Sequence, residues 1–385
     1  MIRVLQFADI VNRYDFIESI VRWADPNQFE MSVCVRSEKC NIVPPLYRPH
    51  TVVHVLNGTG REKIPGAVNR LASLLRKMKI DIVHAHHFDQ SVIAWMATRL
   101  YRKTALVIGR HYSDALYRVP SRVKRTGLFA IEELVNRAAR RIIVPSTFIY
   151  QVLAEKQGVE CGKIDVIPYG FEPEKYVQPG SAEVASTRKE LQLSPENVVF
   201  GTFGRLHEEK GHCYLLEAFA ALERRNSRVV LLIVGDGPEK TTLEKQIDQL
   251  KLQDSVFMLG WRRDVINLMA AVDAVVQPTL QEAFSQVMAE AMWMGKPLLI
   301  TDVSGATDII SNGVNGIIVP RGNSELLTNQ MLNLAEDSSL RSRLGQAGRS
   351  YVESNLLIEK IIGRYEASYQ RAVRGVSSTD FPHER

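Results

Sequence analysis

Short apolar runs alternate with amphipathic helical stretches along almost the whole chain, and that alternation limits the fold more than any other feature. Strand-like runs lie at Arg3 to Phe7, Met31 to Val35, Thr51 to Val55, Ile82 to His84, Ala105 to Ile108, Arg141 to Val144 and Ile164 to Ile167. Helical stretches such as Ala67 to Met78, Ser91 to Leu100 and Leu128 to Ala139 separate several of them. Strands joined through helices run parallel, and the helices cover both faces of the sheet. Residues 173–196 hold four Pro or Gly and no apolar period, so they read as a linker. The alternation then restarts. Strands are expected at Val198 to Phe203, Val229 to Val234, Val256 to Leu259, Ala274 to Gln277, Leu298 to Thr301 and Ile317 to Val319. Helices close the chain at Glu325 to Leu334, Ser338 to Ser354 and Leu357 to about Arg374. The expected class is α/β, with a first domain over 1–175, a second over 190–356 and a flexible polar tail over 376–385. Two domains are also the natural expectation for 385 residues.

The densest chemistry lies in Glu282-Ala283-Phe284-Ser285-Gln286-Val287-Met288-Ala289-Glu290, between the strand ending at Gln277 and the turn Gly295-Lys296-Pro297. Ser285 is a good N-cap, so the amides of Gln286, Val287 and Met288 form an open helix N-terminus, which suits a phosphate. Glu282 precedes that helix. Glu290 lies about one turn inside it, and helical side chains lean back toward the N-terminus. An anion on the amides, with hydroxyl groups held by the two carboxylates, describes a phosphorylated sugar or a sugar nucleotide. Arg205 and Lys210 sit in a loop bounded by Gly204 and Gly211 and can neutralise a diphosphate. Such cations would stabilise the charge that develops on a departing nucleoside diphosphate. Gly235-Asp236-Gly237-Pro238 lacks the third glycine of a dinucleotide fingerprint and follows the wrong strand, so nicotinamide cofactors are discounted.

In parallel sheets, ligands bind outside the carboxyl ends of the strands. Two such ends in the first half carry histidines: His84-Ala85-His86-His87, and Gly109-Arg110-His111. His84 and His86 would share one side of a strand, but the sequence suggests no third ligand, so no metal site is assigned. His111, beside Arg110, is the better candidate for touching a substrate.

Composition narrows the partners. The first 180 residues hold 26 Lys and Arg against 17 Asp and Glu, and the remainder 22 against 26, within an overall charge of +5. The basic half suits a phosphate-bearing acceptor or an anionic membrane surface. Residues 118–129, with Arg118, Arg122, Lys124 and Arg125 among apolar positions, form either a membrane-facing segment or a solvated helix edge. No apolar run reaches about 18 residues. The first strand reaches Asp9 too soon for a signal peptide. The scattered Cys34, Cys40, Cys161 and Cys213 fit reduced thiols. The expected location is cytoplasmic, with peripheral contact on the inner membrane face as a further candidate. Nothing points to nucleic acid.

The motif set resembles the retaining nucleotide-sugar glycosyltransferases of family four, which have the GT-B fold. The resemblance rests on Gly204-Arg205-Leu206 with Lys210-Gly211, Gly235-Asp236-Gly237-Pro238, the pair Glu282 and Glu290, Gly295-Lys296-Pro297 and Asn315-Gly316. In the first half it rests more loosely on Asp81-Ile82-Val83-His84-Ala85-His86, His111, Ser146 and Val166-Ile167-Pro168-Tyr169-Gly170. It implies two Rossmann-like domains facing across a cleft, with the last helix crossing back to the first. Arg205 and Lys210 would bind the donor diphosphate, Glu290 the ribose and Glu282 the sugar hydroxyls. The backbone of Phe284, Ser285, Gln286 and Val287 would cradle sugar and phosphate, and Gly260-Trp261 would lie beside the base. The resemblance gives His111 to the transferred sugar and Asp9, His86 and Arg110 to the acceptor side. His111, Glu282, Arg205 and Lys210 would carry catalysis, without metal or cofactor. The implied reaction transfers a hexose to a sugar or lipid-linked glycan hydroxyl with retention. A sugar-nucleotide epimerase and a non-catalytic binder are the alternatives. The chain departs from the family where a Gly-Gly pair often follows the first strand and Ala8-Asp9-Ile10-Val11-Asn12 stands here. It also has Gly170-Phe171-Glu172 for Gly-Val-Asp, and Ser304-Gly305-Ala306-Thr307-Asp308 for Gly-Gly-x-x-Glu.

Overall fold

Runs apolar on both faces need cover on both faces, and the chain supplies it twice. The computed structural model describes residues 1–9, 15–36, 51–56, 64–111 and 119–374. The chain divides into one unit of Met1–Gly170 with the chain from Ile358 onward, and another of Phe171–Leu357. Ile10 to Asn12 of the first loop, Arg118 of the basic segment and the 376–385 tail lie outside the described residues.

The first unit is built on seven strands: β1 (Ile2–Ala8), β2 (Phe29–Val35), β3 (Val53–Val55), β4 (Ile82–His86), β5 (Ala105–Gly109), β6 (Arg141–Val144) and β7 (Ile164–Val166). They pair in parallel in the order β3-β2-β1-β4-β5-β6-β7. Helices α1 (Asp15–Trp23), α2 (Ile64–Lys77), α3 (Phe88–Leu100), α4 (Arg122–Ala138) and α5 (Thr147–Gln151) connect them. β1 and β4 are the neighbours at which the strand order reverses.

The second unit opens with α6 (Ser181–Glu190) and β8 (Val198–Phe203). It continues through α7 (His212–Glu223), β9 (Val229–Val234), α8 (Lys240–Leu250), β10 (Val256–Gly260), α9 (Val265–Ala271) and β11 (Ala274–Gln277). It closes with α10 (Gln286–Trp293), β12 (Leu298–Thr301), α11 (Ala306–Ile309), β13 (Ile317–Val319), α12 (Ser324–Glu336) and α13 (Ser338–Asn355). Its parallel sheet has the order β10-β9-β8-β11-β12-β13, with the reversal between β8 and β11. Phe200, Leu231, Ile233, Val276 and Leu299 fill its core with Leu215, Phe219 and Met331.

The expected linker at 173–196 is a correction. Most of it is ordered into the second unit. α6 buries only Thr187, so no apolar stripe marks it in sequence. Polar contacts hold it: Arg188 donates to the carbonyls of Ala271 at 2.9 Å and Asn197 at 3.0 Å.

The last helix, α14 (Ile358–Arg374), belongs to the first unit. Its apolar stripe of Ile358, Ile361, Ile362, Tyr365, Tyr369 and Ala372 packs with Val4, Ile82, Val107 and Ile143 of the first sheet. Ser368 and Arg371 donate to Asp165 at 2.7 Å each and fasten the helix beside β7.

Candidate functional site

In the second unit the reversal between β8 and β11 brings two loops together at the carboxyl ends of the strands. The first runs from Gly204 to Gly211. The second runs from Pro278 to Ser285. Their backbones are joined by Leu280 N–H donating to Glu209 O at 2.8 Å. Gly211 has φ +65°, and a Cβ there would strike the carbonyl of Pro278. Gly235, at φ +145°, lies against the carbonyl of Gly204 in the same way, so the Gly-Asp-Gly-Pro motif is a packing device for the neighbouring loop. Only glycine permits both the torsion and the approach.

That framework gathers the expected charges. Lys210 and Glu282 form an ion pair, each partly exposed. Arg205 is exposed and makes no hydrogen bond or ion pair among the described residues. Ser285 caps α10: its Oγ accepts from Met288 N at 3.3 Å and donates to Gln277 Oε1 at 2.6 Å. Phe284 is buried, while Gln286 and Val287 are half-buried at the helix start. Ser304 donates to Ala283 O at 3.2 Å, so the loop after β12 buttresses the same segment. Glu290 accepts from Tyr176 at 2.7 Å. Tyr176 was not expected, because it lies in the stretch read as linker and 114 residues from its partner. Gly260 ends β10 at φ +68°, and Trp261 beside it is 55% exposed with Arg263 over its ring at 5.6 Å. A flat exposed ring at a strand's carboxyl end suits stacking on a base.

In the first unit the register sets Gln6 beside His84, and His86 beside Gly109. Gln6, His84 and His86 are buried polar groups on the face that α14 covers. Such groups persist only when hydrogen bonded, and here they form a chain. Tyr169 OH lies 2.7 Å from His111 Nδ1, and His111 Nε2 lies 2.9 Å from His86 Nδ1. His86 Nε2 lies 2.8 Å from Gln6 Oε1, Gln6 Nε2 donates to Tyr369 OH at 2.9 Å, and Tyr369 OH lies 2.9 Å from His84 Nδ1. Burial holds His84 neutral down to about 3, and holds His86 and His111 well below the ordinary histidine value. Neighbouring imidazoles add to the effect on His86 and His111. With neutral imidazoles, Gln6 sets the polarity of the stretch from Tyr169 to His86. Gln6 Oε1 only accepts, so His86 donates through Nε2 and accepts at Nδ1 from His111 Nε2–H. Tyr169 then donates to His111.

Two acceptor-side expectations are corrected. Arg110 is buried and ion-paired with Glu132, with Gln157 at 3.2 Å; it points among the helices rather than off the sheet edge. His86 is fully buried, so it reaches a ligand only through His111. Asp9 stays at the edge, half-buried, 3.8 Å from the buried Arg36. His111 is half-buried, with both ring nitrogens engaged within the unit. His87 was not singled out. It begins α3 at φ +69°, a conformation costing a non-glycine residue roughly 1–3 kcal/mol, as residues at functional edges often do.

Comparison with known proteins decides the family. The model for glycosyl transferases group 1 matches residues 184–351, and that for glycosyltransferase family 4 matches residues 16–175. The chain belongs to glycosyltransferase family four. Among curated relatives is the Escherichia coli UDP-Gal:alpha-D-GlcNAc-diphosphoundecaprenol alpha-1,3-galactosyltransferase, 26% identical over 70% of each chain. Another is the 2-deoxystreptamine glucosyltransferase of Streptomyces kanamyceticus, 25% identical over 88% of this chain and 91% of that protein. Among solved structures, Anabaena HepE in complex with UDP and glucose matches with a TM-score of 0.82 at 22% identity, over 96% of this chain and all of that one. The fold is GT-B, and the chain is a glycosyltransferase of the nucleotide-sugar type.

Not every family-four motif here faces a ligand. Lys296 donates to the carbonyls of Ala270 at 2.6 Å and Val272 at 2.9 Å, closing the end of α9. Burial lowers its pKa. Asn315 is buried, accepts from Ser311 N at 2.8 Å and donates to Ile309 O at 3.0 Å. Both motifs are turns that shape the second unit.

Proposed function

We propose that the protein is a retaining, metal-independent hexosyltransferase acting from a nucleotide diphosphate sugar onto a hydroxyl of a sugar or lipid-linked glycan. The observation that carries this reading is Arg205, exposed and unpaired among the described residues, in the same loop as Lys210 with its partner Glu282, at the strand-order reversal that also carries the open N-terminus of α10. Arg205 and Lys210 take the diphosphate. An ammonium has three donors and a carboxylate about four acceptor sites, so the pair can stay joined while each holds the donor. Glu282 holds sugar hydroxyls, Glu290 the ribose, and Trp261 lies by the base. The acceptor oxygen attacks the anomeric carbon on the face the diphosphate leaves. The carbon–oxygen bond to the diphosphate breaks as the new glycosidic bond forms, and a departing phosphate oxygen takes the acceptor's proton. The cations stabilise the charge left on the diphosphate. In the first unit, His111 and Asp9 are assigned to the sugar and acceptor side.

The relatives support UDP-sugars as the first donors to test, since one is named for UDP-Gal and one solved structure holds UDP and glucose. A true donor at about 100 times its dissociation constant raises stability by roughly 2.7 kcal/mol, which a thermal-shift screen of UDP-, GDP- and ADP-sugars reads directly. Arg205→Ala, Lys210→Ala and Glu282→Ala should each lower transfer and donor hydrolysis by roughly 100- to 1,000-fold. Full activity in all three would end the proposal, and donor binding without turnover across acceptors would favour a binding protein. Product anomer read by NMR tests retention, and turnover in excess chelator tests metal independence.

For location we propose the cytoplasm with contact at the inner membrane face. Among the described residues no helix is long and apolar enough to cross a membrane. The support is α4, where Val123, Ile131 and Leu134 are exposed in one stripe among Arg122, Lys124 and Arg125. Co-sedimentation that ignores the anionic lipid content of liposomes would remove this reading.

A further inference from the structure

The amino-terminal edge of the first sheet holds a cavity of about 410 Å³, built where helices end and strands begin. Arg99 comes from the last turn of α3 and Arg137 from the last turn of α4. Arg102, Arg140 and Lys163 come from the chain leading into β5, β6 and β7. Strands of five residues put this edge about 16 Å from the carboxyl edge that carries His111 and Asp9, so the cavity is separate from the site above.

Among the described residues no carboxylate lines it. Arg137 pairs with Glu133 one helical turn away on the exposed face of α4. Lys163 donates to Arg137 O at 3.3 Å. Arg99, Arg102 and Arg140 are exposed and make no hydrogen bond or ion pair among the described residues. Trp95 lines the same cavity, and its buried indole N–H meets no acceptor among the described residues. The negative ends of α3 and α4 account for one cation each, Arg99 and Arg137. They do not account for three more that line the cavity from loops, a set of cations that an anion would neutralise together. Guanidinium forks match phosphate oxygens in pairs, and the volume suits a small ligand.

We propose that this cavity binds a phosphate-bearing anion, either a soluble phosphate compound or a lipid headgroup phosphate. Pyrophosphate is the probe. Calorimetry is run on the wild type, on Arg205→Ala/Lys210→Ala, which removes the cations of the donor loop, and on Arg102→Glu/Arg140→Glu. A binding event that survives the donor-loop change and weakens at least tenfold in Arg102→Glu/Arg140→Glu is expected. Arg102→Gln/Arg140→Gln, with an unchanged melting temperature, guards against misfolding of the charge-reversed form. Vesicles with and without phosphatidylglycerol separate the sources. Binding to the anionic vesicles that pyrophosphate displaces assigns a headgroup, and pyrophosphate binding without vesicle binding assigns a soluble ligand. No pyrophosphate binding in the donor-loop variant, or binding indifferent to Arg102 and Arg140, overturns the proposal.

Discussion

Gly109 shows how much one residue can carry. A Cβ there would lie 2.6 Å from both His111 Nε2 and His86 Nδ1, and 3.0 Å from His84 Nε2. Three imidazoles occupy the space of the missing side chain. Gly109→Ala should therefore cost the first unit roughly 1–3 kcal/mol through displaced rings and strained rotamers, measured by urea unfolding of that unit; an unchanged midpoint would show that the rings pack elsewhere. The same chain predicts a spectroscopic result. His84, His86 and His111 should all be neutral at pH 7, with the proton of His86 and His111 on Nε2, as read by nitrogen-15 NMR of the imidazoles. A proton on Nδ1 of His86 would break the polarity derived from Gln6. Little of this was legible beforehand. The sequence shows histidines at strand ends, but Gln6 and Tyr369 are 363 residues apart and no local pattern joins them. Arg110 was misjudged because a strand-end position does not say which way a side chain turns.

Single elements were more legible where the hydrophobic pattern was strong. β8, β9 and β11 are buried along nearly their whole length, and their apolar runs locate them without help from the rest of the chain. α6 was missed because its contacts are guanidinium to carbonyl rather than apolar. The start of α10 was legible, since a serine between a strand-ending loop and an apolar helix is a capping signal. The structure adds that Gln277, the last residue of β11, receives the Ser285 hydroxyl. Ser285→Ala thus removes the cap and leaves a buried amide oxygen without that donor. The loss should be about 1 kcal/mol for the cap, with a further share for Gln277. Donor affinity should fall with it, because the amides proposed to meet the phosphate lose their fixed direction. Ser285→Thr should restore both, and calorimetry with the donor found by thermal shift checks the pair. Equal affinity in Ser285→Ala and the wild type would show that the helix start does not hold the donor.

On the scale of the whole molecule, the two units differ in how folding is linked to protons. The first holds His84, His86 and His111 neutral by burial, and His87 is lowered as well, with Asp9 opposing. The second has His212, held neutral down to about 4 by burial and by Lys210. All these folded values lie below the unfolded one, so the unfolded chain binds more protons once the pH drops below about 6.5. Their stability is therefore fully present above about pH 6.5. It is lost as the pH falls toward the folded values, at up to about 1.4 kcal/mol per pH unit for each group. Several groups act in the first unit and one in the second. Between pH 6.5 and 5.5 the first unit should lose stability several times faster than the second, so its transition moves further as the pH falls. Hydrogen exchange with peptide-level mass spectrometry assigns each transition to its unit. An equal pH dependence of both units, or a steeper one for residues 171–357, would mean that the histidine chain is not what acid attacks.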